Sequence, residues 1–286
     1  MLETAKKKVC IHFHIFKNAG STIDWTLRKN FGSDHVTMDD QAKSPDEIFT
    51  WDRILAFLKK YPDVKAFSSH IIRFPLPENN QYDFFPIVFI RHPIDRAFSI
   101  YSFKKRDNHN DIATIVAKAV SFKKFVEWNL NIKKYRVMKN FQVLYLSRNN
   151  YDFISINEKD YALALTRIKN CSIIGVVDRF DESLVVAEEL LMPYFNKIDL
   201  SYIKQNVNQD RKVELNEQLE YTKEILGNQL YDELANHNKF DFKLYEATNK
   251  ELNSRIEKIP NFESKLNDLR KRREKFVAIH NRRIFM

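Results

Sequence analysis

At 286 residues, with 44% hydrophobic residues and 23 phenylalanines, the chain can bury a sizeable core as one large or two small domains, which excludes a disordered chain. Charged residues make up 30%, and the net charge of +9 favours anionic over cationic partners. Only two cysteines are present, Cys10 and Cys171, both in apolar runs, so nothing suggests a disulfide framework and a reducing compartment is expected.

The first informative stretch runs from Val9 to Phe31. It opens as a mostly apolar, β-branched and aromatic run, the composition of a buried strand. It turns through Lys17 to Gly20, and from Ser21 onward Ile23, Trp25 and Leu27 mix with polar residues as in a helix, with Ser21 or Thr22 at the expected cap. Strand, tight turn and helix together aim backbone N–H groups and a helix N-terminus at one spot, which attracts an anion such as a phosphate. The usual triphosphate loop carries two glycines with lysine directly after the second. Here Lys17 precedes the single glycine by three residues, so the cradle is shorter. The plainer reading is a strand-to-helix turn with a solvated lysine.

Gly32 to Ser44 is polar and reads as loop, and Ile48–Tyr61 has the apolar period of a helix. A short strand, Asp63–Ser69, ends at His70, and a loop over Phe74–Tyr82 leads into the apolar strand Phe85–Ile90. Arg91 stands at that strand's carboxyl end. Pro93 starts a helix reaching Lys105, and Ser99 lies about two turns along it. Arginine with a hydroxyl suits a second phosphate, since the guanidinium fork makes parallel charge-assisted bonds. Two such sites at strand carboxyl ends fit the ligand crevice of an open α/β sheet.

Farther on, Ile112–Lys134 reads as one helix, Asn140–Asp152 gives no clear reading, and Asp160–Lys169 reads as a helix. A fourth strand, Ser172–Val177, is followed by a helix over Glu182–Tyr194 capped by Asp178–Asp181. From Glu214 the chain is helical and charged. Its tail from Lys265 carries eight Lys and Arg against Asp268 and Glu274. A solvated helix face is the plainer reading of the tail; a surface for an anionic acceptor or for lipid headgroups, a peripheral membrane contact, is the sharper one.

The two phosphate motifs resemble those of sulfotransferases that use 3′-phosphoadenylyl sulfate (PAPS). The likeness is nearest to carbohydrate sulfotransferases of the heparan 2-O and chondroitin type and their bacterial relatives. The family loop reads His-Ile-Pro-Lys, two small residues, Gly and two hydroxyl residues; here it is His14-Ile15-Phe16-Lys17-Asn18-Ala19-Gly20-Ser21-Thr22, with Phe16 in place of proline. The second motif is matched in full by Arg91, Pro93, Arg96, Ser99 and Tyr101. The strand-to-helix passage around Gly175, Asn206–Asn208 and Asp241–Ala247 also resemble family segments.

The resemblance implies an α/β, three-layer P-loop NTPase-like fold, with a central parallel sheet flanked by helices. Residues 1–247 would form the sulfotransferase domain and 248–286 a basic helical extension of it. It implies Lys17 as the residue stabilising the leaving phosphate. Asn18, Ala19, Gly20, Ser21 and Thr22 would join it around the 5′-phosphate, with Arg91 and Ser99 at the 3′-phosphate, and with 3′,5′-ADP as product. No metal is required by that scheme, and no His/Cys/Asp cluster with ligand spacing stands out. A general base is needed, and His70, between the two motif strands, is best placed; its heparan-type counterpart is also a histidine. A histidine capping a strand end is the plainer alternative. His12 and His14 suit packed or hydrogen-bonded roles, with His14 able to orient Lys17, and Arg73 could steer an acidic acceptor.

The expected partner is a carbohydrate or glycoconjugate acceptor and not a nucleic acid. The expected location is the cytoplasm of a microbe, since no signal peptide or apolar anchor precedes the first strand, whereas Golgi relatives carry one. Two rivals remain: a nucleotide kinase with a degenerate loop, and a basic protein binding an anionic polymer.

Overall fold

The computed structural model describes residues 5–39, 48–132, 136–149, 155–205, 212 and 214–284. Five strands form one parallel sheet: β1 (Lys7–Phe13), β2 (His35–Thr37), β3 (Ala66–Ser69), β4 (Tyr82–Ile90) and β5 (Ile173–Val176), in the order β2-β3-β1-β4-β5. Val9, Cys10, Ile11 and Phe13 are fully buried, as both faces of a central parallel strand require. The helices are α1 (Gly20–Phe31), α2 (Trp51–Lys60), α3 (Pro93–Arg106), α4 (Ile112–Ala119), α5 (Phe122–Asn131), α6 (Phe141–Ser147), α7 (Glu158–Lys169), α8 (Phe180–Leu191), α9 (Leu215–Leu226), α10 (Asn228–His237), α11 (Lys239–Ile256) and α12 (Phe262–Ile284). The architecture is the α/β, P-loop-like one expected. No helix among the described residues is long and apolar enough to cross a membrane.

Several expectations are corrected. The segment read as loop after α1 contains β2, a three-residue edge strand whose His-Val-Thr sequence is too short to show a period. The helix expected over 112–134 is two helices, broken at Val120, because the Ser121 hydroxyl accepts from the Lys124 N–H and starts α5 anew. Lys133 and Lys134 lie outside the described residues, as do Asn206–Asn208. Helix α1 is not capped by Ser21 or Thr22: it begins at Gly20, with Ala19 in the left-handed region at φ 63° as its cap. That backbone turn starts the helix early and places both hydroxyl residues inside its first turn.

The stretch left unread after Asn140 holds α6, anchored by a reciprocal pair of caps. Asp241, fully buried on α11, accepts from the backbone N–H groups of Gln142 (3.1 Å) and Val143 (2.9 Å). In return the Asn140 side-chain oxygen accepts from the N–H groups of Phe240 (2.9 Å) and Asp241 (3.1 Å). Each helix thereby satisfies orphan donors of the other. Helix α11 runs continuously through 247, the position expected to end the α/β part. Leu266 and Leu269 of α12 belong to the same core as the sheet.

The basic tail is tied down by ion pairs. Arg272 reaches Glu188 on α8 at 2.7 Å and also pairs with Asp199, Arg273 reaches Asp181 at 2.7 Å, and Lys265 pairs with Glu189.

Two apolar clusters meet at the turn after β1. One surrounds the sheet and includes Ile15; the other is built from α3, α4, α5, α9 and α10, and Phe16 packs against it. The strand order reverses direction between β1 and β4, so the segments leaving their carboxyl ends face each other across the crevice.

Candidate active site

Lys17 and Arg91 are brought into contact. Arg91 Nη1 donates to the Lys17 carbonyl at 3.0 Å, while its Nε pairs with Asp95 at 2.7 Å. Arg96, also buried, donates from Nε to the Phe16 carbonyl at 3.0 Å. The second motif thus holds two successive carbonyls of the first. That turn needs holding, because Lys17 and Ala19 both adopt positive φ (66° and 63°), which costs energy in residues with a Cβ.

The Lys17 ammonium lies over the Phe103 ring (4.3 Å to its centroid), and no carboxylate among the described residues pairs with it. Burial, then the charges of Arg91, Arg106 and Arg96, lower its pKa to about 8, with Asp107 opposing. An ammonium with no carboxylate partner among the described residues, beside the backbone N–H groups of a helix start, makes a local field that favours anions.

The other expected loop residues divide. Asn18 does not face the crevice: it is 1% exposed, and its amide donates to the Phe89 carbonyl and to Gln142 Oε1, each at 2.7 Å. Its side chain fastens the loop to β4 and α6. Ala19 and Ser21 are half-buried at the start of α1, and the buried Thr22 hydroxyl accepts from the Gln205 N–H at 3.1 Å. Gly20 is required by contact rather than by φ. A Cβ there would stand 1.9 Å from His14 Nε2. Ser99 is half-buried on α3, with its hydroxyl free of hydrogen bonds among the described residues.

His70 lies directly after β3. Its Nδ1 is 2.6 Å from the His14 carbonyl, which only accepts, so Nδ1 carries the proton and Nε2 keeps a lone pair. Its backbone N–H donates to Asp39 at 2.9 Å. Burial, then the neighbouring His14 ring 3.8 Å away between centroids, push its pKa down to about 4, against Asp39. The imidazole is therefore neutral at pH 7. Arg73 is 4% exposed, and Nη1 donates to the carbonyls of His70 and Ile72, each at 2.7 Å. It fixes the backbone carrying His70.

Two groups were missed from sequence. Gln142, fully buried on α6, accepts from Arg91 N (2.9 Å) and donates from Nε2 to Arg91 O (2.9 Å), besides accepting from Asn18. One side chain thus joins both motifs. Asp24, on α1, sits between His12 Nδ1 (2.7 Å) and His14 Nδ1 (3.1 Å). These three side chains form a cluster the sequence did not disclose, with ligand-type atoms within 4.8 Å of one another. Burial opposes charge on Asp24, but the two imidazoles outweigh it and hold the carboxyl far below the ordinary range. The only forward sign was Asp24's place one helical turn beyond Gly20.

This geometry is matched by descent. A model of the sulfotransferase family fits residues 2–246, the whole sheet and both motifs included. The chain belongs to the sulfotransferase family. A protein of Archaeoglobus fulgidus, described as uncharacterized, is 32% identical to this sulfotransferase over 249 residues, covering 83% of this chain and 94% of the relative. Membership makes the Lys17 turn and Arg91 the natural place to look for the sulfuryl donor, and the pair of motifs sits at the sheet's switch point.

Proposed function

We propose that this protein transfers the sulfuryl group of PAPS to a hydroxyl of a carbohydrate or glycoconjugate. The observation that carries this reading is the direct contact between Arg91 and the Lys17 turn, which makes one site of two motifs.

The chain's groups fit the donor. Lys17 offers a cation with no carboxylate partner among the described residues, the first turn of α1 offers N–H groups with the Ser21 hydroxyl, and Ser99 offers a second hydroxyl about two turns along α3, the helix that follows Arg91. In this reading Lys17 and the start of α1 hold the 5′-phosphate, and Arg91 with Ser99 holds the 3′-phosphate. When bound, the donor supplies an activated sulfuryl on a phosphate leaving group. Lys17 neutralises charge developing on that phosphate, a role whose loss costs about 10²–10³ in turnover in comparable sites. His70 Nε2 accepts the acceptor hydroxyl's proton as the new oxygen–sulfur bond forms, and the old bond breaks toward the phosphate. The remaining contribution is alignment of the two reactants.

The test is transfer of labelled sulfate from PAPS to a panel of oligosaccharides, with Lys17→Ala as control. Label transferred by the wild type and lost in the variant supports the reading. Phosphate transfer from Mg-ATP in place of sulfate would assign the loop to a kinase.

A further inference from the structure

We propose that His14, held by Asp24, is a proton-loaded anion ligand: on binding a nucleotide phosphate at the start of α1 it takes up a proton from solvent and donates Nε2–H to it. This deepens the reading above and rests on it.

The geometry leaves His14 one way to act. An ionised carboxylate only accepts, so the 3.1 Å contact with Asp24 places a proton on Nδ1. Nε2 then bears a lone pair, and it lies over the first residue of α1, where only glycine leaves room for the ring. A phosphate oxygen arriving there meets a lone pair unless Nε2 is protonated. Asp24 makes that protonation feasible, because the resulting imidazolium faces a carboxylate already in place.

The charged and titratable groups facing His14 are His12 from its own strand, Asp24 from α1, Asp39 from the segment after β2, and His70 from the segment after β3. In the free protein, burial and then His12 outweigh part of the pull of Asp24 and Asp39, and His14 lies below its ordinary value. An anion adds to the pull of the carboxylates. By linkage, whatever favours the protonated form is itself bound more tightly when that form is present. His70, whose ring is tilted against that of His14 at 3.8 Å between centroids, is neutral in the free protein and stays so beside the new charge.

The experiment is calorimetric titration of the full chain with 3′,5′-ADP at pH 7 in HEPES and in Tris, whose ionisation enthalpies differ. Lys17, with a pKa of about 8, is already mostly charged at that pH and contributes about a tenth of a proton. The nucleotide's own phosphates release rather than absorb protons on meeting a cationic site. Uptake of more than half a proton per nucleotide is expected for the wild type. Loss of most of it is expected in Asp24→Asn, with affinity about tenfold weaker. As a check independent of any variant, the His14 Nε2 resonance in a ¹⁵N spectrum should move from a lone-pair to an N–H position on saturation. Binding without proton uptake, or uptake that leaves the His14 signal unmoved or survives in Asp24→Asn, overturns the inference alone. No binding of 3′,5′-ADP overturns the reading beneath it as well.

Discussion

The guanidinium of Arg91 donates to the main-chain oxygen of Lys17 at 3.0 Å, so the residue proposed to grip one end of the donor also braces the loop proposed to grip the other. Arg96 does the same for Phe16. The loop's left-handed residues are thus stabilised by charge-assisted bonds from a neighbouring segment rather than by glycines. A chain with four glycines holds this turn by bracing.

Lys17→Ala should lower turnover by about 10²–10³. In the wild type, the Lys17 contribution to donor affinity should weaken as pH rises through about 8, where the free ammonium loses its proton, on top of the fall across neutral pH that proton uptake by His14 imposes. Lys17→Arg should remove that alkaline limb, since guanidinium stays charged. Donor KM measured from pH 6 to 9.5 checks this.

Gly20→Ala should harm the protein although alanine suits helices better than glycine by about 1 kcal/mol. The added Cβ would collide with the His14 ring and push it from Asp24. A net loss of about 1–3 kcal/mol in stability is expected, as for other overpacked sites, together with weaker donor binding. Denaturant melts of the two proteins decide it.

Gln142→Leu should strand the Arg91 peptide and leave the Asn18 amide with the Phe89 carbonyl alone, all buried. A loss of about 2–4 kcal/mol follows from unsatisfied buried groups. Thermal unfolding should shift down by roughly 5–10 °C. Donor KM should rise more than kcat falls, because the loop loses its fixed distance from Arg91 while His70 keeps its own supports.

His70→Ala should reduce turnover by about 10²–10⁴, the usual worth of a general base. Because burial and His14 hold the free imidazole at about 4, the base is protonated only in strong acid. The kcat/KM profile should therefore show no His70 limb between pH 6 and 8 and should fall as pH approaches 4. An acid limb near 6.5 would point to a different base.

The parts of the fold legible in sequence were those with mostly apolar runs: β1, β4 and β5 read directly, because strands buried on both faces carry few polar residues. Strand β2 was hidden by its length, and the break before α5 by a single serine. Arg91 and His70 stood out because each directly follows a strand, and Lys17 because it lies in the short turn between β1 and α1. Gln142 and Asp24 were not. Gln142 matters only because α11 caps α6 from about 100 residues away in sequence, a long-range contact no local pattern encodes. Asn18 misled in the opposite sense: its place in the loop suggested a ligand, whereas the amide points inward to Phe89 and Gln142.

The two-ended grip is tested most directly by comparing the affinities of 3′,5′-ADP and 5′-AMP for the wild type and for Ser99→Ala, whose hydroxyl engages nothing else among the described residues. Wild-type protein should prefer 3′,5′-ADP by about tenfold or more, a charge-assisted contact of roughly 1.5–3 kcal/mol. Ser99→Ala should lose several-fold of that preference with 5′-AMP unchanged. Equal affinity of the wild type for both nucleotides would contradict the account.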